Sequence, residues 1–312
     1  MTNTVTRPFQ RWSGGASKRN RRRSVTRSQT RAGSVMLAPA LIHSTIFISI
    51  PTLAAIVLSL TDYSFGADWQ WVGFDNFVEL STNDSFRAAF VNTIVYAIVV
   101  VPVAMGIALA IAIGLNQKIR GLGFFRTAFY IPTVTATVAV ATVWLWIYNP
   151  SSGLANGVLS LFGLGPARWL TDPNMALPSL MVVGIWQGLG AKMLIYLAAL
   201  QGVSRDLVEA AGLDGANKWQ VFRNVTWPSI GPAQFFVLIT SIAGTFQVFD
   251  LVYVTTKGGP GVSTNVLVFD VYNNAFQSLR LGYASAETVI MMLLIASFIL
   301  LGRKLQGADT RD

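Results

Sequence analysis

The sequence predicts an all-α polytopic membrane protein with six transmembrane helices, and three observations carry that prediction. Hydrophobic residues make up 53% of the 312 residues and charged residues only 12%, a composition typical of membrane-embedded chains. Six apolar runs each approach the ~20 residues that a helix needs to cross a hydrocarbon core. Basic residues fall mainly in alternate connections between those runs, the pattern of a chain inserted in one orientation.

The runs cover residues 35–60, 88–115, 124–148, 175–200, 232–254 and 284–301. Pro39, Pro51 and Pro102 lie inside spans, where neighbouring helices can satisfy the carbonyls that proline frees. Between the first two runs, residues 61–86 mix aromatic and acidic side chains, which predicts a short interfacial helix. Asn149-Pro150 and Gly153-Leu154-Ala155-Asn156 predict a turn, closed by a loop through Trp169 to Asp172. Trp69, Trp71, Trp144, Trp146 and Trp169 gather near one predicted boundary, as an aromatic belt does.

The net charge of +9 belongs to one end of the chain. Residues 1–34 hold Arg7, Arg11, Lys18, Arg19, Arg21, Arg22, Arg23, Arg27 and Arg31 with no acid, and the rest carries 14 basic and 14 acidic residues. A basic tail before an apolar helix is a topology signal and a contact for anionic membrane lipid, not a nucleic-acid arm. Lys118, Arg120, Arg126, Arg205, Lys218, Arg223, Arg303, Lys304 and Arg311 join it on one side. The opposite segments hold Asp62, Asp68, Asp75, Glu79 and Asp84, with fewer bases. Both termini are therefore expected in the cytoplasm. The expected organisation is a basic tail (1–34), a single six-helix domain (35–302) and a short C-terminal tail (303–312).

The longest polar island on the basic side is residues 204–228, within a connection spanning 202–231. Ser204 is placed to cap a helix that Asp206 favours through the dipole. Leu207, Val208, Ala211 and Leu213 give that helix an apolar face, and Gly212 and Gly215 permit a bend. Trp219, Phe222 and Val225 anchor a second amphipathic piece that Pro228 stops. Two short helices at a membrane surface form a shape that fits a cleft on another protein.

Within this island, Glu209-Ala210-Ala211, Asp214-Gly215-Ala216, Gln220, Phe222 and Pro228 resemble the EAA loop of ABC-importer permease subunits. Trp227 departs from the leucine usual before that proline. Phe125-Arg126-Thr127 with Pro132 is similar to the family's entry to its third span. Gly258-Gly259-Pro260 with Ser263-Thr264 resembles the loop of the maltose- and glycerol-phosphate-type permeases. The resemblance implies the type I ABC-importer permease fold and a coupling role for Glu209, Ala210, Ala211, Asp214, Gly215 and Ala216. It also implies a second homologous permease, a dimer of ATP-binding cassette subunits that binds ATP and Mg, and an extracellular or periplasmic solute-binding protein.

The residues bear on energy supply independently. No Gly-rich phosphate loop ending in Lys-Ser or Lys-Thr is present, so any ATP hydrolysis falls to a partner. Asp250 and Glu287 are the acids within or beside the predicted spans, which argues against an ion-coupled carrier, the alternative reading. Without cysteine, with His43 as the single histidine and with no paired buried acids expected, neither a metal site nor an intramembrane enzyme is predicted. His43 is read as a packing residue facing another helix. Lys192 interrupts an apolar run and must face a cavity, a partner helix or the interface. With Gln187, Gly188, Gly190 and Tyr196 it offers a polar face to a hydroxylated solute, or it snorkels to the inner interface. Ser241 and Thr245, four apart, share a helix face, with Gln247 nearby. The resemblance implies that this region contributes to a sugar site.

Overall fold

A computed structural model describes residues 27–66, 68–117 and 120–307. The seven basic residues from Arg7 to Arg23, together with Lys118 and Arg311, lie outside the described residues. The chain divides into two compact units, with the boundary between Thr52 and Leu53.

The first unit holds helix α1 (Arg27–Ser44), a π-helical turn at Thr45–Ser49 and the start of α2 (Ile50–Leu58). The wide turn follows from Pro51. A proline lacks the amide that would continue an α-helical ladder, and a π-bulge re-routes the bonds around it. Accordingly the Ile50 N–H reaches the Thr45 carbonyl, five residues back. His43 is exposed and its ring meets Phe47 of the same helix at 4.9 Å. It packs along its own helical run.

In the second unit, α3 (Asp75–Thr82) is the predicted short helix, and α4 (Asp84–Leu115) begins on an Asn83 cap whose side chain accepts from the Phe86 N–H. α4 buries Ala104, Ala108 and Ala112, spaced by four, against Leu189, Met193 and Leu197 of α8 (Pro173–Gln201). Small residues at that spacing let two membrane helices approach along their backbones. Higher up, Tyr96 of α4 sets its phenol oxygen in the space a side chain at Gly184 would fill.

The third run is not one straight helix. α5 (Leu122–Val134) and α6 (Thr137–Ile147) meet at 98°, with Thr135 and Ala136 extended between them. The structure thus has five helices of spanning length and composition among the described residues, or six when the bent pair counts as one span. Pro132 and the β-branched Thr133, Val134 and Thr135 weaken the helix locally. Gln187 of α8 meets the break, donating to the Thr135 carbonyl (3.4 Å) and the Thr137 hydroxyl (3.2 Å), while the Thr133 hydroxyl donates to the Gln187 carbonyl at 2.7 Å. Backbone freed inside a membrane must find such partners. Gly190 is required here: a Cβ would lie 2.6 Å from the Phe129 carbonyl.

The predicted turn at Gly153 instead opens α7 (Leu154–Leu161). Asn156 on it accepts from the Trp169 indole at 2.8 Å and the Ala167 N–H at 3.0 Å, closing the loop to α8. After α8 come α9 (Arg205–Leu213), α10 (Lys218–Val221), a π-helical turn at Phe222–Thr226 and α11 (Trp227–Ser229). The π turn again precedes a proline, Pro228. α12 (Gly231–Phe246) and α13 (Asp250–Thr255) form the fifth span, α14 (Leu267–Tyr272) follows a packed loop, and α15 (Leu281–Gly307) closes the chain. α12 packs on α4 and α15, and α14 on α4 and α15.

Candidate functional site

A cavity of about 300 Å³ lies among α4, α5, α6, α8, α12 and α13. Gln187, Lys192, Ser241 and Thr245, the polar side chains singled out in the sequence, all line it. The lysine is half-buried, and its Nζ donates back to the Gly188 carbonyl at 3.1 Å, one turn toward the N-terminal end of α8. That direction leads away from the α9 end of the bundle, so the side chain does not snorkel there. Among the described residues, no carboxylate lies within 4.0 Å of it. Ser241 and Thr245 are both buried on one face of α12; the Thr245 hydroxyl donates to the Ile242 carbonyl at 2.8 Å, and the Ser241 hydroxyl has no partner.

Three expected lining groups fall elsewhere. Gln247 is exposed, because α12 ends at Phe246 and the chain turns before α13. Tyr196 is buried in the α4–α8 seam, and Gly190 is spent on the approach of α5. Conversely, Tyr96, Thr133, Thr137 and Asp250 line the cavity although nothing in the sequence marks them as lining. The bend between α5 and α6 brings the two threonines inward, and a bend of that kind leaves no periodic signal.

At the opposite extreme of burial stands the segment 204–228. Glu209, Ala210, Asp214 and Gly215 are exposed, and Ala211 and Ala216 half-buried. Leu207, Val208, Leu213, Trp219 and Trp227 are exposed too, Leu213 at 91%. Ser204 occupies the cap position of α9 without a side-chain bond. The true cap is one helix later: Asn217 accepts from the Gln220 N–H at 2.9 Å, and the Gln220 side chain accepts from the Asn217 N–H at 2.8 Å. Such reciprocal bonding is readable as Asn-x-x-Gln in sequence. The bend falls at Gly215 alone, whose φ of +81° suits glycine, whereas Gly212 stays within α9. Trp219 stacks on Phe222 at 5.6 Å, which holds the segment in shape.

The Gly-Gly-Pro loop is also no loose turn. The Thr264 hydroxyl, fully buried, bonds the Gly259 carbonyl and the Thr256 hydroxyl, both at 2.7 Å. Behind it the structure corrects the expectation that no buried acids are paired: Asp270 and Glu287 are buried together, 4% and 0% exposed. Asp270 carries no signal of burial in the sequence because it lies in a predicted connection, and only the fold of α14 against α15 buries it.

Apolar helices of spanning length around a cavity with hydroxyl, amide and amine groups in its lining, together with an exposed structured segment, suit a membrane transport protein. Residues 103–307 match the family described as binding-protein-dependent transport system inner membrane component. The chain is 34% identical to the probable ABC transporter permease protein YesP of Bacillus subtilis, over 92% of this chain and 94% of that one. It is 32% identical to the trehalose/maltose transport system permease protein MalF of Thermococcus litoralis, over 91% and 96%. The sn-glycerol-3-phosphate transport system permease protein UgpA of Agrobacterium fabrum is 30% identical, over 84% of this chain and 89% of its own. In fold, the chain resembles one in a crystal structure of a bacterial ABC transporter involved in import of the acidic polysaccharide alginate. The TM-score is 0.79 at 24% identity, over 91% of this chain and 98% of that one. The chain belongs to the binding-protein-dependent transport family and is a multi-pass permease subunit of an ABC importer.

Proposed function

We propose that this subunit forms half of the translocation path for a sugar or a related polar solute such as a polyol phosphate. A second homologous permease completes the path, and an extracellular or periplasmic solute-binding protein delivers the solute. ATP and Mg are bound and ATP is hydrolysed by a dimer of ATP-binding cassette subunits. Both termini lie on the ATPase side, and the basic residues around 204–228 support that orientation.

The observation that carries the proposal is the apolar surface of the segment 204–228, exposed beside Glu209 on a chain of this family. Leu207, Leu213 and Trp219 on short helices suit a cleft on a partner. Closure of the ATPases would draw such segments together and exchange access to the cavity from one side of the membrane to the other. Inside, hydroxyl and amide groups with Lys192 suit hydrogen bonding to a hydroxylated solute. The relatives' names, trehalose/maltose and sn-glycerol-3-phosphate, support that solute class.

Purification from the native membrane tests the reading. Recovery of the chain with an ATPase, and uptake in proteoliposomes that requires ATP inside, is the expected result. Transport by this polypeptide alone, driven by an ion gradient, would establish the carrier reading in its place.

A further inference from the structure

At the end of the bundle that carries α3, the buried acids have no role in the mechanism above. One oxygen of each is satisfied. Asp270 Oδ1 accepts from the Ser85 hydroxyl at 3.0 Å and the Asn265 amide at 2.8 Å, and Glu287 Oε1 accepts from the Asn274 amide at 2.9 Å. The other oxygens, Asp270 Oδ2 and Glu287 Oε2, are buried and have no partner; Asn274, which binds Glu287, lies one turn past Asp270, so the two carboxyls stand where α14 packs on α15. Tyr283, 2% exposed and one turn earlier on α15, adds a hydroxyl that also has no partner.

We infer that Asp270 and Glu287 form a proton-binding site, in which one proton is shared between the two carboxyl groups across the α14–α15 contact. Two ionised carboxylates sharing a buried site repel each other, and each ion also carries a desolvation penalty. The charged groups on the surrounding elements do not offset this. On α3, Glu79 engages Arg280 through two bonds of 2.8 and 2.6 Å, so that guanidinium is already neutralised while it lies over the Tyr283 ring at 4.4 Å. α4 contributes Ser85 to the pair, and its Asp84 and Arg87 are at the surface. A single proton turns one orphan oxygen into a donor to the other and satisfies both.

A metal ion fits less well. Calcium takes six to eight oxygen ligands, whereas the unpartnered groups of these three side chains are two carboxylate oxygens and the Tyr283 hydroxyl. The unpartnered Asn265 Oδ1 lies instead beside Gly258, because the amide nitrogen is given to Asp270. The proton therefore fastens α14 to α15, and through Ser85 to α4. Losing it at alkaline pH places two like charges in the contact and loosens it.

Infrared spectroscopy of the full-length protein in lipid nanodiscs tests the site, because an un-ionised carboxyl absorbs apart from carboxylate and amide groups. The wild type should show that band at neutral pH and lose it on alkaline titration, with a parallel fall in thermal unfolding midpoint. Glu287→Gln should abolish the band, and the Asp270→Asn/Glu287→Gln double variant should unfold at a midpoint independent of pH over the same range. No such band in the wild type at neutral pH overturns the proposal, as does a band that survives in the double variant. A midpoint raised by added Na⁺ or Ca²⁺ in the wild type, and unmoved in the double variant, overturns it in favour of a cation site.

Discussion

Two connections of this chain look alike in sequence and fold in opposite ways. Residues 204–228 and 256–280 both separate long apolar runs, and both carry glycines, a proline and scattered polar groups. The first turns Leu207, Leu213, Trp219 and Trp227 to the outside and keeps its shape through a capping box and stacked rings. The second turns Thr264, Asn265 and Asp270 to the inside, bonding Thr264 to Thr256 and Gly259 within the connection and Asn265 and Asp270 to each other and to Ser85 of α4. A connection with unmet apolar surface offers itself to another molecule, whereas one with inward polar groups is satisfied within its own chain.

The sharpest way to break that contrast is to disturb the inward connection. Asn265→Ala removes the amide from Asp270 and should cost about 3 kcal/mol, the scale for stranding a buried polar or charged group. Thermal or denaturant unfolding of the purified protein measures it, and an unchanged midpoint would show that the connection is held by something else. In the outward connection, Glu209→Lys should leave the unfolding midpoint alone, and Gly215→Pro should distort the local bend while leaving the helix bundle folded. They should lower ATP-dependent uptake on the order of tenfold or more, equivalent to ~1.4 kcal/mol of lost docking. Proline cannot adopt the φ of +81° found at Gly215. Normal uptake in both variants would remove the coupling role.

A smaller effect is expected from Asn217→Ala, about 1 kcal/mol on the local helix, read as faster amide hydrogen exchange in 218–221 with no change at 256–280. The smallest belongs to the ion pair of Glu79 and Arg280, whose side chains are 44% and 43% exposed. Its bonds to Arg280 hold the Glu79 carboxyl below the usual glutamate range. The contribution is therefore complete above the unfolded pKa and is lost as pH falls through the lowered one. Solvent screening limits it to at most ~1 kcal/mol, so Glu79→Gln should flatten a shallow acid-side decline in unfolding midpoint.

How much of this is legible in the sequence follows the range of the physics. Helix existence and span positions rest on local hydrophobicity, and five runs reappear with ends shifted by a few residues. The third run reads as one straight helix because the 98° bend depends on Gln187, some fifty residues away, filling the broken ladder. Ser241 and Thr245 pair on α12 as their spacing predicts because helical periodicity is local, while Gln247 is lost to a helix end that three-dimensional packing decides. Asp270 becomes visible as a buried acid only once α14 is laid against α15.

The phenol of Tyr96 resting in the notch at Gly184 has a mechanical consequence for the helices beneath it. Along Ala104, Ala108 and Ala112 the seam between α4 and α8 is smooth, and smooth seams tolerate sliding. The notch acts as a detent: axial slip must first lift the ring out. These two helices are thereby braced against axial slip past each other.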